Sequence, residues 1–389
     1  MPNPVATWQY FTGMAKEPAW GTATAATSFF LVPAAKHQPR FEDQFDQGMR
    51  GSAARDQAYY QGTGWTELDW PDMYWYPDDS GHFLMGMLGV DTLTGTARSG
   101  TIGAVAAGAT SLTYTVVSGG APILGDIFVI ETGTNVSEVV VPTNVTGAGP
   151  YTLTVPAIRF AHGAASPAAA LFSHAITLNN TAAAPSYTAA RFTGLQATAE
   201  QVAGVYWEQV ELRFQNQGKL SVGARGRGLI QGTVTKPTNT YSTAQFVMPW
   251  QAKVTIGGVQ NTQLQDATIT IARPVDMIFG MQNSQNASAA VQDRMAVTGK
   301  MTFAASDMTE FNYYFQNTQP VVLVQFFGGS GLLTLQMSKV AFNDPTNLDY
   351  GTRYARTMAS FNAIANATDA STGVSPLKAI AVSARSTSY

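Results

Sequence analysis

The residues best placed to do chemistry are four carboxylates, Asp69, Asp72, Asp78 and Asp79. They sit beside Trp70, Tyr74, Trp75 and Tyr76 in the densest acidic stretch of the chain. Paired carboxylates next to aromatic rings are what a glycosidase or a sugar-binding site needs. The same residues serve equally as turn and cap groups, with the aromatics packing into a core or an interface. No second carboxylate pair supports the enzymatic reading. The histidines, His37, His82, His162 and His174, show no metal-ligand spacing, so they are expected to be ordinary surface or turn residues. There is no cysteine, which excludes disulfides, thiolate metal sites and thiol nucleophiles. Gly328-Gly329-Ser330-Gly331-Leu332 misses the nucleophile-elbow pattern and predicts a hairpin turn. Gly299-Lys300 lacks the upstream glycine of a phosphate-binding loop, and Gly226-Arg227-Gly228 fails the dinucleotide pattern. The sequence therefore assigns no catalytic, cofactor-binding or metal-ligating residue and implies no cofactor.

Arg225 and Arg227 alternate with glycines along an expected strand. They could touch nucleic acid or face solvent or an interface, and two arginines make a weak electrostatic footprint. The 22 basic residues are scattered and the net charge is −3, which argues against gripping a duplex by charge. Charged residues make up only 12% of the 389, about half the usual share. Ala, Thr, Gly, Ser, Asn and Gln take their place, a composition suited to long strands and to surfaces buried on assembly. The 45% hydrophobic content is that of a folded protein, and at about 150 residues per domain the length predicts two or three domains. Residues 1–10 show neither a basic segment nor an apolar one, so no signal peptide is expected. Apolar runs such as Val321–Val324 are far shorter than the roughly 18 residues of a membrane helix.

The elements that must position these residues read mostly as β. Ser28–Val32 is a short apolar strand. Lys36–Ala58 lacks a clean period and predicts a long exposed loop or extended hairpin. In Trp65–Trp70, Trp65, Glu67 and Asp69 alternate with Thr66, Leu68 and Trp70. Ser80 is the expected N-cap of a short helix through Phe83, Leu84 and Met87 that Gly89 ends. Asn216-Gln217-Gly218 joins Val210–Gln215 to Lys219–Ala224 as a hairpin. Ala267–Ile271, Met295–Ala304, Val321–Phe327, Leu332–Phe342, Thr352–Ile364 and Ala379–Ala384 read as strands. Asp307–Asn317 reads as an amphipathic helix, with a capping-box spacing from Asp307 to Glu310. Residues 99–168 stand apart, with strands expected at Ser111–Val117, Ile127–Glu131, Glu138–Pro142 and Tyr151–Val155 between glycine-rich turns. They predict a small inserted β-domain. Its ends should be close together and linked through small-residue tethers at Ser99–Gly103 and Gly163–Ala170.

The chain resembles the major tail tube proteins of long-tailed, siphovirus-type bacteriophages. The resemblance rests on the order of several short patterns: Trp20-Gly21-Thr22 before a strand, Gly48-Met49-Arg50-Gly51-Ser52, and Tyr76-Pro77-Asp78-Asp79-Ser80-Gly81 leading into Phe83–Gly89. Phe172–Asn180 follows, then Val297–Phe303 with the helix and two long strands after it. It covers roughly 18–97 and 171–384. It implies a mainly β subunit, two packed antiparallel sheets forming a sandwich or barrel with one flanking α-helix. That subunit would be discontinuous, 1–98 and 169–389, with 99–168 on the tube exterior. It further implies a structural virion protein, not an enzyme. Hexameric rings would stack helically into a tube that conducts DNA into the host cell without binding it specifically. Tape measure, terminator and baseplate proteins would be its partners, the phage tail its place, and the host cytoplasm its site of assembly. The rival readings are a terminator or baseplate ring on the same scaffold, then a carbohydrate-binding adhesin, then a glycosidase using the Asp69–Asp79 carboxylates.

Overall fold

The computed structural model describes residues 10–47, 55–56, 58–195, 197–215, 218–248, 251–304, 309–349 and 355–389; for 309–311 and 344–349 only the backbone is described. Among the described residues the fold is mainly β, with two large antiparallel sheets and two helices, and neither sheet closes into a barrel.

One long strand, Thr198–Gln215, organises the first sheet. Its first half pairs with Tyr187–Phe192 on one side and Gly232–Thr235 on the other. Phe11–Lys16 and then Ser28–Phe30 extend that part. Its second half lies inside a broader antiparallel array. Lys36–Asp46, Ala58–Tyr74 and Ser221–Gly228 flank it on one side. Leu264–Ala272, Ala296–Ala304, Arg356–Ala363 and Val340–Asp349 follow on the other. The strand changes partners near Gly204, whose φ of 66° lies in the left-handed region that glycine tolerates best.

A second long strand, Ser166–Leu178, does the same in the other sheet. Residues 173–178 pair with Gly89–Thr94, and residues 172–176 with Lys378–Ser383 on the opposite side. Leu332–Met337, Val322–Phe327, Ala252–Ile256 and Val259–Asn261 continue the sheet. Residues 166–171 pair instead with Ser99–Ile102 and Ile127–Ile130. The two sheets enclose one core around Trp70, Trp75, Trp207, Leu212, Val324, Leu335 and Ala381. Phe214 and Phe326 meet across it edge to face, with ring centroids 4.9 Å apart. The helix Gly81–Leu88 is wholly buried there.

Several expectations need correction. Of the two readings of Lys36–Ala58 the extended hairpin holds, with Lys36–Asp46 paired to the start of Ala58–Tyr74, while residues 48–54 and 57 lie outside the described residues. Leu332–Phe342 is two strands in different sheets. Between them the buried Asp369 carboxylate accepts from Ser338 N (2.6 Å), Ser338 Oγ (2.6 Å) and Gln336 Nε2 (3.0 Å), which fastens the corner. Ser80 does not cap its helix through its side chain; its Oγ accepts from Tyr76 N at 2.9 Å and closes the preceding turn. Gly89 does end the helix, at φ 98°, with its N–H on Met85 O. The second helix is Thr309–Phe315, and Asp307 of its expected capping box lies outside the described residues. The two tethers are strand for most of their length, because Ser99–Ala169 and Gly100–Ala168 are register partners.

Candidate assembly surfaces

The outer face of the broad array follows from period-two alternation. Along Ala58–Tyr74, Thr66, Leu68 and Trp70 are buried while Trp65, Glu67 and Asp69 are half-buried on the other face. The outward set continues through Gln209, Glu211 and Arg213, then Thr268 and Thr270, then Thr298, Lys300 and Thr302, then Ser360 and Asn362. It is largely polar, with the exposed Met358 among its members, and most of its charges are matched. Arg225 reaches Asp69 at 3.3 Å, Arg227 reaches Glu208 at 3.1 Å and Arg213 reaches Glu211 at 2.5 Å. Lys219 pairs with Asp72 at 3.0 Å, and Arg40 with Glu67 at 3.1 Å. Burial pushes the Glu208 carboxyl up from the usual range, against the pull of Arg227. These surface pairs contribute little stability individually. Their effect is to neutralise two arginines that would otherwise face outward unopposed.

The array ends on two strands, Lys36–Asp46 and Val340–Asp349, that have no further strand neighbour among the described residues. The first carries exposed charge along its length, which discourages promiscuous edge pairing. Toward its tip Phe45, Tyr59 and Tyr60 are exposed, Phe45 and Tyr59 pack 5.4 Å apart, and the Tyr59 hydroxyl donates to Asp43 at 2.7 Å. The hairpin is braced from below by a loop of the paired strands Val275–Ile278 and Ala289–Gln292. Gln285 O accepts from Gly64 N at 3.0 Å, and its side-chain amide donates to Gln61 O and Gly62 O. Phe279 packs on Trp65.

The acidic stretch does not converge. Asp69 and Asp72 lie on the outer sheet face with Arg225 and Lys219. Asp78 accepts from Ala384 N and Ser242 Oγ, and Asp79 faces Arg385 at 4.0 Å; burial raises both carboxyls. Trp70 and Trp75 belong to the core, whereas Tyr74 and Tyr76 cluster with Phe246.

All four histidines are buried, not superficial. His37 stacks on Trp70 and accepts its Nε1–H at 3.1 Å; burial, aided by Arg191, pushes its pKa down to about 3. His82 lies between Tyr187 and Tyr389, and burial holds it well below the ordinary histidine range. His162 bridges Glu131 (3.1 Å) and Glu138 (2.8 Å), and His174 bridges Asp91 (3.0 Å) and Arg385 O (2.9 Å). The sequence held a partial signal. Phe172, His174 and Ile176 share one face of an alternating run, so His174 points into whatever that face buries. Among the described residues, no group of three or more His, Asp or Glu could hold a metal ion. No helix among them is long and apolar enough to cross a membrane.

Sequence reasoning missed Glu17. It is buried and accepts from Ser186 Oγ (2.6 Å), Thr188 Oγ1 (2.7 Å), Gly204 N (2.8 Å) and Gly21 N (3.0 Å). Trp20 Nε1 donates to Gly204 O at 3.1 Å. The Trp20-Gly21-Thr22 turn thus clasps the point where the long strand changes partners.

No curated protein matches the chain. The family model described as phage tail tube protein matches residues 11–380, so the chain belongs to the phage tail tube protein family, one of structural tail proteins.

Proposed function

We propose that this protein forms hexameric rings that stack helically into the phage tail tube and conduct DNA into the host cell, a role without catalysis. The observation that carries the reading is the broad array with a matched polar face and a strand left open at each end. Closing a ring edge to edge would give each open strand a partner. Stacking is a head-to-tail contact that does not close, so it generates a filament. The polar face would line the lumen. A duplex roughly 20 Å wide would pass it without specific binding, because unopposed cations that displace counterions would hold it back. Arg225 and Arg227, each with an acidic partner, satisfy that requirement. The Lys36–Asp46 hairpin, with its exposed aromatic tip, would reach the next ring. Residues 99–168 would form a separate domain on the tube exterior, since a domain of that size would block the lumen. Tape measure, terminator and baseplate proteins would be the other partners, in a tail assembled in the host cytoplasm.

Negative-stain imaging of the purified protein tests this. Long hollow filaments are expected; single rings would point to a terminator or baseplate component. Deleting Asp43–Ala54 should leave folded subunits that no longer stack, and long tubes from that variant would refute the hairpin's role. A map of the tube with a net positive lumen, or with residues 99–168 inside it, would overturn the assignment of faces.

A further inference from the structure

The buried ring of His162 lies between two carboxylates. Its Nδ1 is 3.1 Å from Glu131 Oε2, and its Nε2 is 2.8 Å from Glu138 Oε1. A neutral imidazole carries one N–H and would turn the lone pair of its other nitrogen toward a carboxylate oxygen. The arrangement is satisfied only when one further proton is held within it. Neither glutamate is a good place for that proton. Glu138 accepts from Arg159 N (2.9 Å) and Phe160 N (3.3 Å) as well as from the ring. Glu131 accepts from Ser166 Oγ, and the hydrogen bonds from Ser166 and His162 hold its carboxyl below the usual range. The ring is the place that remains. His174 differs, since it faces one carboxylate, Asp91, and one carbonyl.

The groups around His162 come from several segments. Glu131 follows Ile127–Ile130, Glu138 opens Glu138–Val140 and Ser166 opens Ser166–Leu178. Val105 brings no charge; its backbone exchanges hydrogen bonds of 2.9 and 3.0 Å with that of His162. Arg159 is the cation on the histidine's own segment, and its Nη1 donates to the Gln251 amide oxygen at 3.0 Å. Residues 131–138 are also a stretch through which residues 99–168 reach the body. Thr134 O accepts from Gln245 Nε2 at 2.5 Å, and Ser137 Oγ donates to Gly329 O. The stretch begins under strain, because Glu131 has a φ of 50°. Such a backbone persists only where its surroundings hold it. Here the Glu131 carboxylate is held by His162 and Ser166, and its N–H by Pro167 O at 2.9 Å.

We propose that His162 is an imidazolium clamped between Glu131 and Glu138, and that its second ring proton latches residues 131–138 against the body, so that the seam loosens as the pH rises. When the stretch opens, the ring meets water and gives up its proton above about pH 6.5, as an ordinary histidine does. The closed form must keep the proton or set a lone pair against a carboxylate. Each further rise in pH therefore favours opening. The latch is complete below that pH and weakens above it.

Hydrogen–deuterium exchange of the full-length protein, corrected for the chemical pH dependence of exchange, tests this. From about pH 6 to about pH 9, protection of peptides spanning 131–138 and 158–166 should fall about tenfold, whereas peptides of Thr198–Gln215 stay level. His162→Gln should start with low protection in the first two peptides and show no pH dependence there. Glu131→Gln keeps an acceptor for the ring but removes one negative charge, so its fall should come at lower pH. Thermal melts establish that both variants remain folded, and the wild-type profile stands by itself if one does not. A level wild-type profile, an equal fall in Thr198–Gln215, a wild-type fall retained in His162→Gln, or an unshifted fall in Glu131→Gln would each overturn the proposal.

Discussion

The body buries its apolar side chains between two wide sheets, in one cluster that includes Trp70, Trp75 and Trp207. Residues 99–168 bury theirs in a smaller cluster built on Ile102, Leu112, Tyr114, Phe128 and Leu153. The edges differ as well. The body's array ends on long strands, whereas residues 99–168 end on Asn144–Thr146 and Glu138–Val140, strands of three residues each. Short edges template little pairing, so on the proposed function it is the body's long edges that would pair between subunits. The two regions are nevertheless joined firmly. Ser166–Leu178 runs from one into the other without interruption, and a third cluster, Val129, Leu171, Leu332 and Val382, straddles the seam. Thr134 O also accepts a hydrogen bond from Gln245 Nε2 at 2.5 Å. Residues 99–168 are therefore held by a shared strand and shared packing, not by loose tethers.

The sharpest way to break that comparison is to replace residues 99–168 with a short Gly-Ser linker. Flexible tethers would make the change nearly neutral for the body. The straddling cluster predicts otherwise, because Leu171, Leu332 and Val382 lose Val129 and the partly buried Ile127 and Val139 packed with it. Partial exposure of these side chains should cost roughly 3–5 kcal/mol. Urea unfolding would measure it, and an unchanged midpoint would show that the seam contributes nothing. Filament formation should survive, since the open edges are untouched.

A somewhat smaller loss is expected at the body's own joint. Glu17→Ala removes the acceptor of two hydroxyls and two backbone N–H groups where Thr198–Gln215 changes partners. Buried donors left without a partner cost about 3 kcal/mol in total. Glu17→Gln should recover part of this, because one amide oxygen still accepts. Equal stability of Glu17→Ala and wild type would mean that the turn needs no clasp.

The difference between Glu17 and its neighbours shows what the sequence could and could not reveal. Alternation in Trp65–Trp70 separated the two sets of residues that the structure places on opposite faces, because each residue's side is a local consequence of the pleat. Gly89 was legible as a helix stop for the same local reason. Gly328–Gly331 likewise forms the expected turn between Val322–Phe327 and Leu332–Met337, with Gly328 N on Gly331 O at 2.8 Å. Glu17 was invisible, since two of its donors lie some 170 residues away and another is a backbone N–H. The break inside Leu332–Phe342 was hidden too. Ser338 turns there because Asp369, remote in sequence, receives its N–H. The tethers failed in an instructive way. Small residues suggested looseness, but Ala168 and Ala169 have strand partners on both sides and Ala170 pairs with Phe128 on one.

The smallest expected effect is a gain, and it separates the body's buried histidines by their partners. His37 has a donor in Trp70, but neither ring nitrogen of His82 has a hydrogen-bond partner in the structure. The His82 ring packs edge-on against Tyr187 and Tyr389 at centroid distances of 5.7 and 5.4 Å, a setting that suits a phenyl ring. His82→Phe removes two buried polar atoms while roughly keeping the shape, and should stabilise the fold by about 1 kcal/mol near neutral pH. The pH dependence sharpens the test. In the folded state burial holds His82 neutral well below 6.5, its ordinary value, whereas the unfolded chain titrates there. As pH falls below that value, the unfolded state takes up a proton that the folded state refuses, so wild-type stability drops. Phenylalanine does not titrate. The advantage of His82→Phe should therefore grow by up to about 1.4 kcal/mol per pH unit below 6.5 and level off above it. Thermal or urea melts of the two proteins from pH 7 to pH 5 would show diverging curves. Parallel curves would mean that His82 gains its proton in the folded protein as readily as in the unfolded one, and that its pocket is wetter than its packing indicates.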